Sequence, residues 1–191
     1  MATLTILTYP DPRLARKSEP VTKFGPEIEK TVADMLETMY EAPGIGLAAP
    51  QVNIHQQIVV IDIDYESSED DPPVLSNKNP RVFINAKITK KEGEMVFKEG
   101  CLSVPGEYEE VQRAAKITVE YQDAKGRAHS LEAEGLLAVA IQHELDHLDG
   151  RLFIDRLSFV KSRSVKRKLK KELEDEGLST LPRDRQPERE D

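Results

Sequence analysis

Leu136-Leu137-Ala138-Val139-Ala140-Ile141-Gln142-His143-Glu144-Leu145-Asp146-His147 is the stretch on which the reading of this chain turns. Its first half is apolar on every side, the mark of a helix buried in a core. Its second half sets two imidazoles one helical turn apart with a carboxylate beside the first, the pattern of a metal site that carries its own base. Polar groups of that kind in a buried helix need a reason. The plainer one is a core helix whose histidines and glutamate merely bond to neighbours. The spacing predicts a helix over about 136–149, stopped by Gly150.

The whole chain has 191 residues, 38% of them hydrophobic, enough for one sizeable core. A single domain over 1–178 is expected, followed by a disordered, charged tail over 179–191 rich in Pro, Arg and Asp. The opening Met1-Ala2-Thr3-Leu4-Thr5-Ile6-Leu7 has no basic region and soon meets Tyr9-Pro10-Asp11-Pro12, so it does not read as a signal peptide. No apolar run reaches membrane-spanning length. Cys101 is the only cysteine, which excludes an internal disulfide and fits a reducing, cytoplasmic setting. A net charge of −8 argues against general nucleic-acid binding, although Lys161, Arg163, Lys166, Arg167, Lys168, Lys170 and Lys171 crowd one segment.

The other elements are of mixed type. Residues 26–41 carry Ile28, Val32, Met35, Leu36 and Met39 at helical spacing, with Pro26 suited to the first turn. Residues 58–63 are rich in β-branched side chains, 81–84 form a second candidate strand, and 117–121 turn through Asp123-Ala124-Lys125-Gly126 into 128–133 as a hairpin. Residues 64–80 show no periodicity and read as an exposed acidic loop, whereas 158–176 predict a charged last helix.

Two histidines do not complete a metal site. A catalytic site takes three protein donors and leaves one position open, whereas a structural one closes with four. In the extended metalloprotease pattern His-Glu-x-x-His-x-x-Gly-x-x-His, Gly150 falls in register but the ligand position is Phe153, which cannot bind a metal. Glu172 and Glu174, in a following helix, lie in a charged run better explained as a solvated face. The remaining soft donor is Cys101 in Glu99-Gly100-Cys101-Leu102-Ser103, where Gly100 permits close backbone approach and the polar neighbours suit the edge of a cleft. Imidazoles and a cation nearby would favour its thiolate.

A third segment, Gly44-Ile45-Gly46-Leu47-Ala48-Ala49-Pro50-Gln51, strips bulk from one stretch of backbone. A packed loop accounts for its glycines. Gln51 adds a side-chain amide able to donate to an oxyanion.

In order and spacing these three segments, the last extended through Leu148-Asp149-Gly150, closely resemble the signature motifs of peptide deformylases, and the resemblance runs from the N-terminal Leu-Thr-Tyr-Pro-Asp-Pro-Arg-Leu stretch through Leu157. It implies an α+β fold, with antiparallel β-sheets packed around a central metal-binding His-Glu-x-x-His helix and a C-terminal helix. It implies removal of the formyl group from the N-terminal formylmethionine of new polypeptides, with release of formate. Cys101, His143 and His147 would hold one divalent metal, ferrous iron by resemblance, with zinc, nickel or cobalt also suited to a thiolate and two imidazoles. Glu144 would act as general base toward water, while the Gln51 amide and the Leu102 backbone N–H would hold the oxyanion, both carried over from the family. Also by resemblance, Ile45, Gly46, Glu99 and Gly100 would lie along the peptide, and Val139 and Ala140, with His143, would border the methionine pocket.

One departure stands out: some family members have an arginine near the site entrance where this chain reads Gly106-Glu107-Tyr108. The basic run of the last helix is either a solvated face or, by resemblance, a ribosome contact; no membrane partner is expected. Two rival functions stay open here. One is a metalloprotease with a different third ligand, and the other is a non-enzymatic protein in which His55 or His129 closes a structural metal shell.

Overall fold

Ile58-Val59-Val60-Ile61 is β-branched throughout and buried at every position, so the strand it forms must be covered on both faces. The computed structural model, which describes residues 2–70 and 74–186, shows what covers them. In chain order the elements are α1 (Pro26–Glu41), β1 (Gly46–Ala48), β2 (Ile58–Ile61), β3 (Glu66–Ser67), β4 (Leu75–Ser76), β5 (Arg81–Glu92), β6 (Met95–Cys101), β7 (Val104–Arg113), β8 (Lys116–Gln122), β9 (Ala128–Glu134), α2 (Gly135–Leu148) and α3 (Phe159–Glu176). A five-stranded sheet runs in the order β1-β2-β5-β8-β9, antiparallel at each pairing. Ile58 and Val60 face α1, where Ile28, Val32, Met35 and Met39 sit one helical turn apart; Val59 and Ile61 face α2, against Ala138 and Ile141. Each such side chain taken wholly out of water contributes about 1.5–3 kcal/mol.

β6 and β7 form a separate long hairpin. Val104 and Val111 on it pack with Phe153, Ile154 and the buried stripe Val165, Leu169 and Leu173 of α3. The histidine helix therefore sits between the sheet and the hairpin. The mixed fold, antiparallel pairing and C-terminal helix agree with the expectation, and α3 begins and ends as its sequence predicts: Ser158 caps its N-terminus and Gly177, at φ 66°, its C-terminus.

The strands differ from the sequence reading. The one expected over 58–63 ends at Ile61, because the Asp62 carboxylate accepts from the backbone N–H groups of Asp64, Tyr65 and Asn79 and turns the chain. β5 runs on to Glu92 rather than 84, and register shifts after Ile84 and Ile88 break the alternation that would reveal it. β7 was not anticipated, since Pro105 and Gly106 demote a strand. The acidic stretch 64–80 contains the small pair β3–β4, with 71–73 outside the described residues. Of the stretch read as a charged tail from 179, residues 179–186 are described, with Leu181 2% exposed and Arg183, Asp184 and Gln186 exposed, and 187–191 lie outside the described residues. Among the described residues no helix is long and apolar enough to cross a membrane.

Candidate active site

α2 carries His143, Glu144 and His147 on its buried side, and the end of β6 brings Cys101 to them from 42 residues earlier in the sequence. Metal-binding atoms of Cys101, His143 and His147 all lie within 4.8 Å of one another, and Cys101 Sγ stands 3.4 Å from His147 Nε2. His143 Nδ1 lies 2.8 Å from Glu99 Oε2, which leaves Nε2 as the ring atom free to ligate. A thiol and two imidazoles so gathered fit a divalent ion of the zinc or iron kind. His55 and His129 are not part of the group, and His129 instead bonds Asp123 on the far end of the β8–β9 hairpin. Phe153 packs its ring against that of His143, centroids 6.1 Å apart, so the position that fails as a ligand instead packs against one.

Glu144 is 6% exposed, and its Oε2 has no hydrogen-bond partner among the described residues. An orphaned carboxylate oxygen in such a place is costly unless a ligand or cation uses it. Burial pushes its carboxyl up to about 7, in the range a general base needs. A bound cation would draw that value down again. Gly46 of β1 approaches so closely that a Cβ there would fall on the Glu144 carboxylate. Burial, then the neighbouring His143, holds His147 well below the usual imidazole range, the neutral state a ligand requires.

Gln51 is held from both ends. Its Oε1 accepts from Ala48 N–H at 2.8 Å, which points Nε2 toward Ser103 Oγ at 3.0 Å and Cys101 Sγ at 3.6 Å. Leu102 occupies the two-residue turn between β6 and β7. These groups open onto a cleft of about 830 Å³, whose sides are Ile45 just before β1, Gly46 on it, Gly100 on β6, and Val139 and Ala140 on α2.

Glu99 also lines the cleft. Its side chain is buried against Arg113, which donates from Nε at 2.7 Å and Nη2 at 2.9 Å, so only its backbone is left to face the cleft. Arg113 also donates to Asp146 Oδ2 at 2.6 Å, and Arg156 donates to the same carboxylate. This buried charge network, directly behind the histidines, was not read from the sequence. Asp146 gave the one available signal, a charge on the inner side of an apolar helix; Arg113 gave none.

A three-donor set leaves room for a further ligand, and an unpartnered carboxylate stands beside it. Chemistry that needs both is hydrolysis assisted by a metal, and the molecule falls in the class of metallohydrolases. Residues 3–163 match the family model of polypeptide deformylase, and the chain belongs to that family, whose members remove the formyl group from N-formylmethionyl peptides in a metal-dependent reaction. It is 52% identical over 171 residues to a peptide deformylase of Chromobacterium violaceum, across 90% of this chain and 96% of that one, and equally close to one of Neisseria gonorrhoeae over the same shares. Among solved structures, the peptide deformylase of Legionella pneumophila superposes with a TM-score of 0.79 at 41% identity, covering 92% of this chain and 98% of that one. That of Thermus thermophilus gives 0.78 at 43%, covering 92% and 97%.

Proposed function

We propose that the chain deformylates nascent peptides with Cys101, His143 and His147 as metal ligands, Glu144 as general base, and Gln51 and Leu102 as oxyanion donors. The observation that carries this reading is the buried, unpartnered Oε2 of Glu144 beside three donors that lie within 4.8 Å of one another. A divalent ion held by Cys101, His143 and His147 would supply Lewis acidity and lower the pKa of water toward neutrality. Glu144 removes a proton from the attacking water and returns it to the departing amine. The Gln51 amide, fixed by Ala48, and the Leu102 N–H receive the charge that develops on the formyl oxygen.

The small residues of β1 and β6 leave the peptide room to pair as an added strand along Ile45, Gly46, Glu99 and Gly100, the third of these through its backbone. Val139 and Ala140 would border the methionine side chain, and an apolar pocket of this kind prefers methionine without excluding near relatives. Residues 1–178 would carry every proposed ligand, base and oxyanion donor of the catalytic domain. We assign ferrous iron as the physiological metal, so air should inactivate the enzyme and nickel or cobalt restore it. We place the reaction in the cytoplasm, in keeping with the single unpaired Cys101. Ribosome contact would fall on the groove between Tyr9 and the basic face of α3, lined by Arg163, Lys166, Arg167 and Lys170.

The test is formate release from formyl-Met-Ala-Ser by anaerobically purified, metal-replete protein. Release is expected; none from such a preparation overturns the assignment.

A further inference from the structure

The segment after α3 takes no part in the reaction just described and lies beyond residues 3–163, the span of the family match. It is nevertheless tied down. Leu181 donates its N–H to Tyr9 O at 2.8 Å and accepts from Thr8 Oγ1 at 2.6 Å. Arg185, its side chain only 6% exposed, forks onto both oxygens of Glu172 at 2.6 and 2.7 Å, reaches Glu107 Oε1 at 3.0 Å, and donates to Pro105 O at 2.7 Å. A fork with its donors so used is far from a loose surface pair. The tail backbone lies flat on β7: at Gly106, φ 74°, a Cβ would stand 2.8 Å from Gln186 O and from Arg185 Nη1. Glycine is therefore required there on two counts.

This clamp sets Arg183, Asp184 and Gln186 into the lining of the same cleft that holds Cys101, His143 and Glu144. His143 and Glu144 are buried and Cys101 half-buried, whereas Arg183, Asp184 and Gln186 are exposed, so the tail stands at the mouth. A formylmethionine whose formyl carbon must reach Glu144 fills the floor, and the later residues of the peptide have to leave past that mouth. We propose that residues 181–186 form a wall of the substrate cleft, clamped by the positioning residue Arg185, which contacts the peptide downstream of the formylmethionine. The proposal rests on the deformylase reading above.

The experiment measures kcat and KM for formyl-Met-Ala and for a formyl-Met hexapeptide, using wild type, Arg185→Ala, Arg185→Lys and the double variant Arg183→Ala/Gln186→Ala. In Arg185→Ala the preference for hexapeptide over dipeptide in kcat/KM should fall about three- to tenfold, through KM, the size of a few lost interface contacts. Arg185→Lys, which keeps the charge without the fork, should recover part of it. The same ratio in wild type and Arg185→Ala overturns the wall, and so does a fall in kcat common to both peptides, which marks a merely structural clamp. If Arg185→Ala does not fold, the double variant at exposed positions decides, and an unchanged ratio there overturns the proposal. Wild type inactive on every peptide would instead refute the deformylase reading.

Discussion

His143 Nδ1 stands 2.8 Å from Glu99 Oε2, and that same oxygen accepts from Arg113 Nη2 at 2.9 Å. The carboxylate thereby fixes the ring orientation of one proposed ligand while its own charge is balanced in a buried setting. Burial raises the Glu99 carboxyl's pKa, but the bonds from Arg113 and His143 outweigh it and hold the group below the ordinary carboxylate range, so it is ionised when it does this work.

Glu99→Gln keeps the shape and removes the charge. Metal affinity should fall roughly 10–100-fold, the usual effect of losing an outer partner of a ligating histidine. Competition with a chelator measures it. Affinity equal to wild type would show that Glu99 does not orient His143.

Gly46→Ala places a methyl group where the Glu144 carboxylate now lies. The side chain can swing aside, but no longer in line with the water it is proposed to activate. Turnover should drop on the order of a hundredfold, as displacements of about 1 Å commonly cause. A melting temperature close to wild type would show that the fold survives, and wild-type kcat would contradict the placement of Glu144.

Gln51→Ala removes the proposed side-chain oxyanion donor. We expect kcat to fall on the order of a hundredfold or more, with metal content retained. The Ala48 N–H also loses its acceptor, so a stability loss of about 1–3 kcal/mol should accompany it in chemical denaturation. Near-normal turnover in metal-loaded protein would take this role from Gln51.

Asp62 contributes to acid stability outside the site. Its burial favours the neutral acid, yet the Tyr40 hydroxyl at 2.6 Å and the N–H groups of Asp64, Asn79 and Tyr65 hold its pKa below the ordinary value. A depressed folded-state pKa contributes stability that is complete above the unfolded value of about 3.9 and is lost as pH falls through the folded one. Asp62→Asn should therefore flatten the stability profile below about pH 4 relative to wild type. Parallel profiles for the two proteins would contradict the sign or the assignment.

The legible parts of this chain were those whose partners are near in sequence. His143, Glu144 and His147 announce themselves by helical spacing, Met35 and Met39 mark the inner face of α1, and the charged run from Ser158 to Glu176 marks α3. Cys101 could be read only by asking what else might ligate. β7 leaves a weak signal because its alternation is diluted by glutamate and interrupted by Pro105 and Gly106. Pairings across 14 and 33 residues, Arg113 with Glu99 and with Asp146, arise from how the hairpin docks on α2 and leave no local trace. Arg185 resembled any charge in a polar tail until Glu172 and Glu107 were seen around it.

The most direct measurement compares formate release from formyl-Met-Ala-Ser by wild type and by Glu144→Gln, both purified anaerobically and both checked for bound metal. The account predicts rapid release by wild type and near-complete loss in the variant with its metal in place. Comparable release by metal-loaded Glu144→Gln would contradict it, because the unpartnered carboxylate would then be idle in the reaction it was assigned to drive.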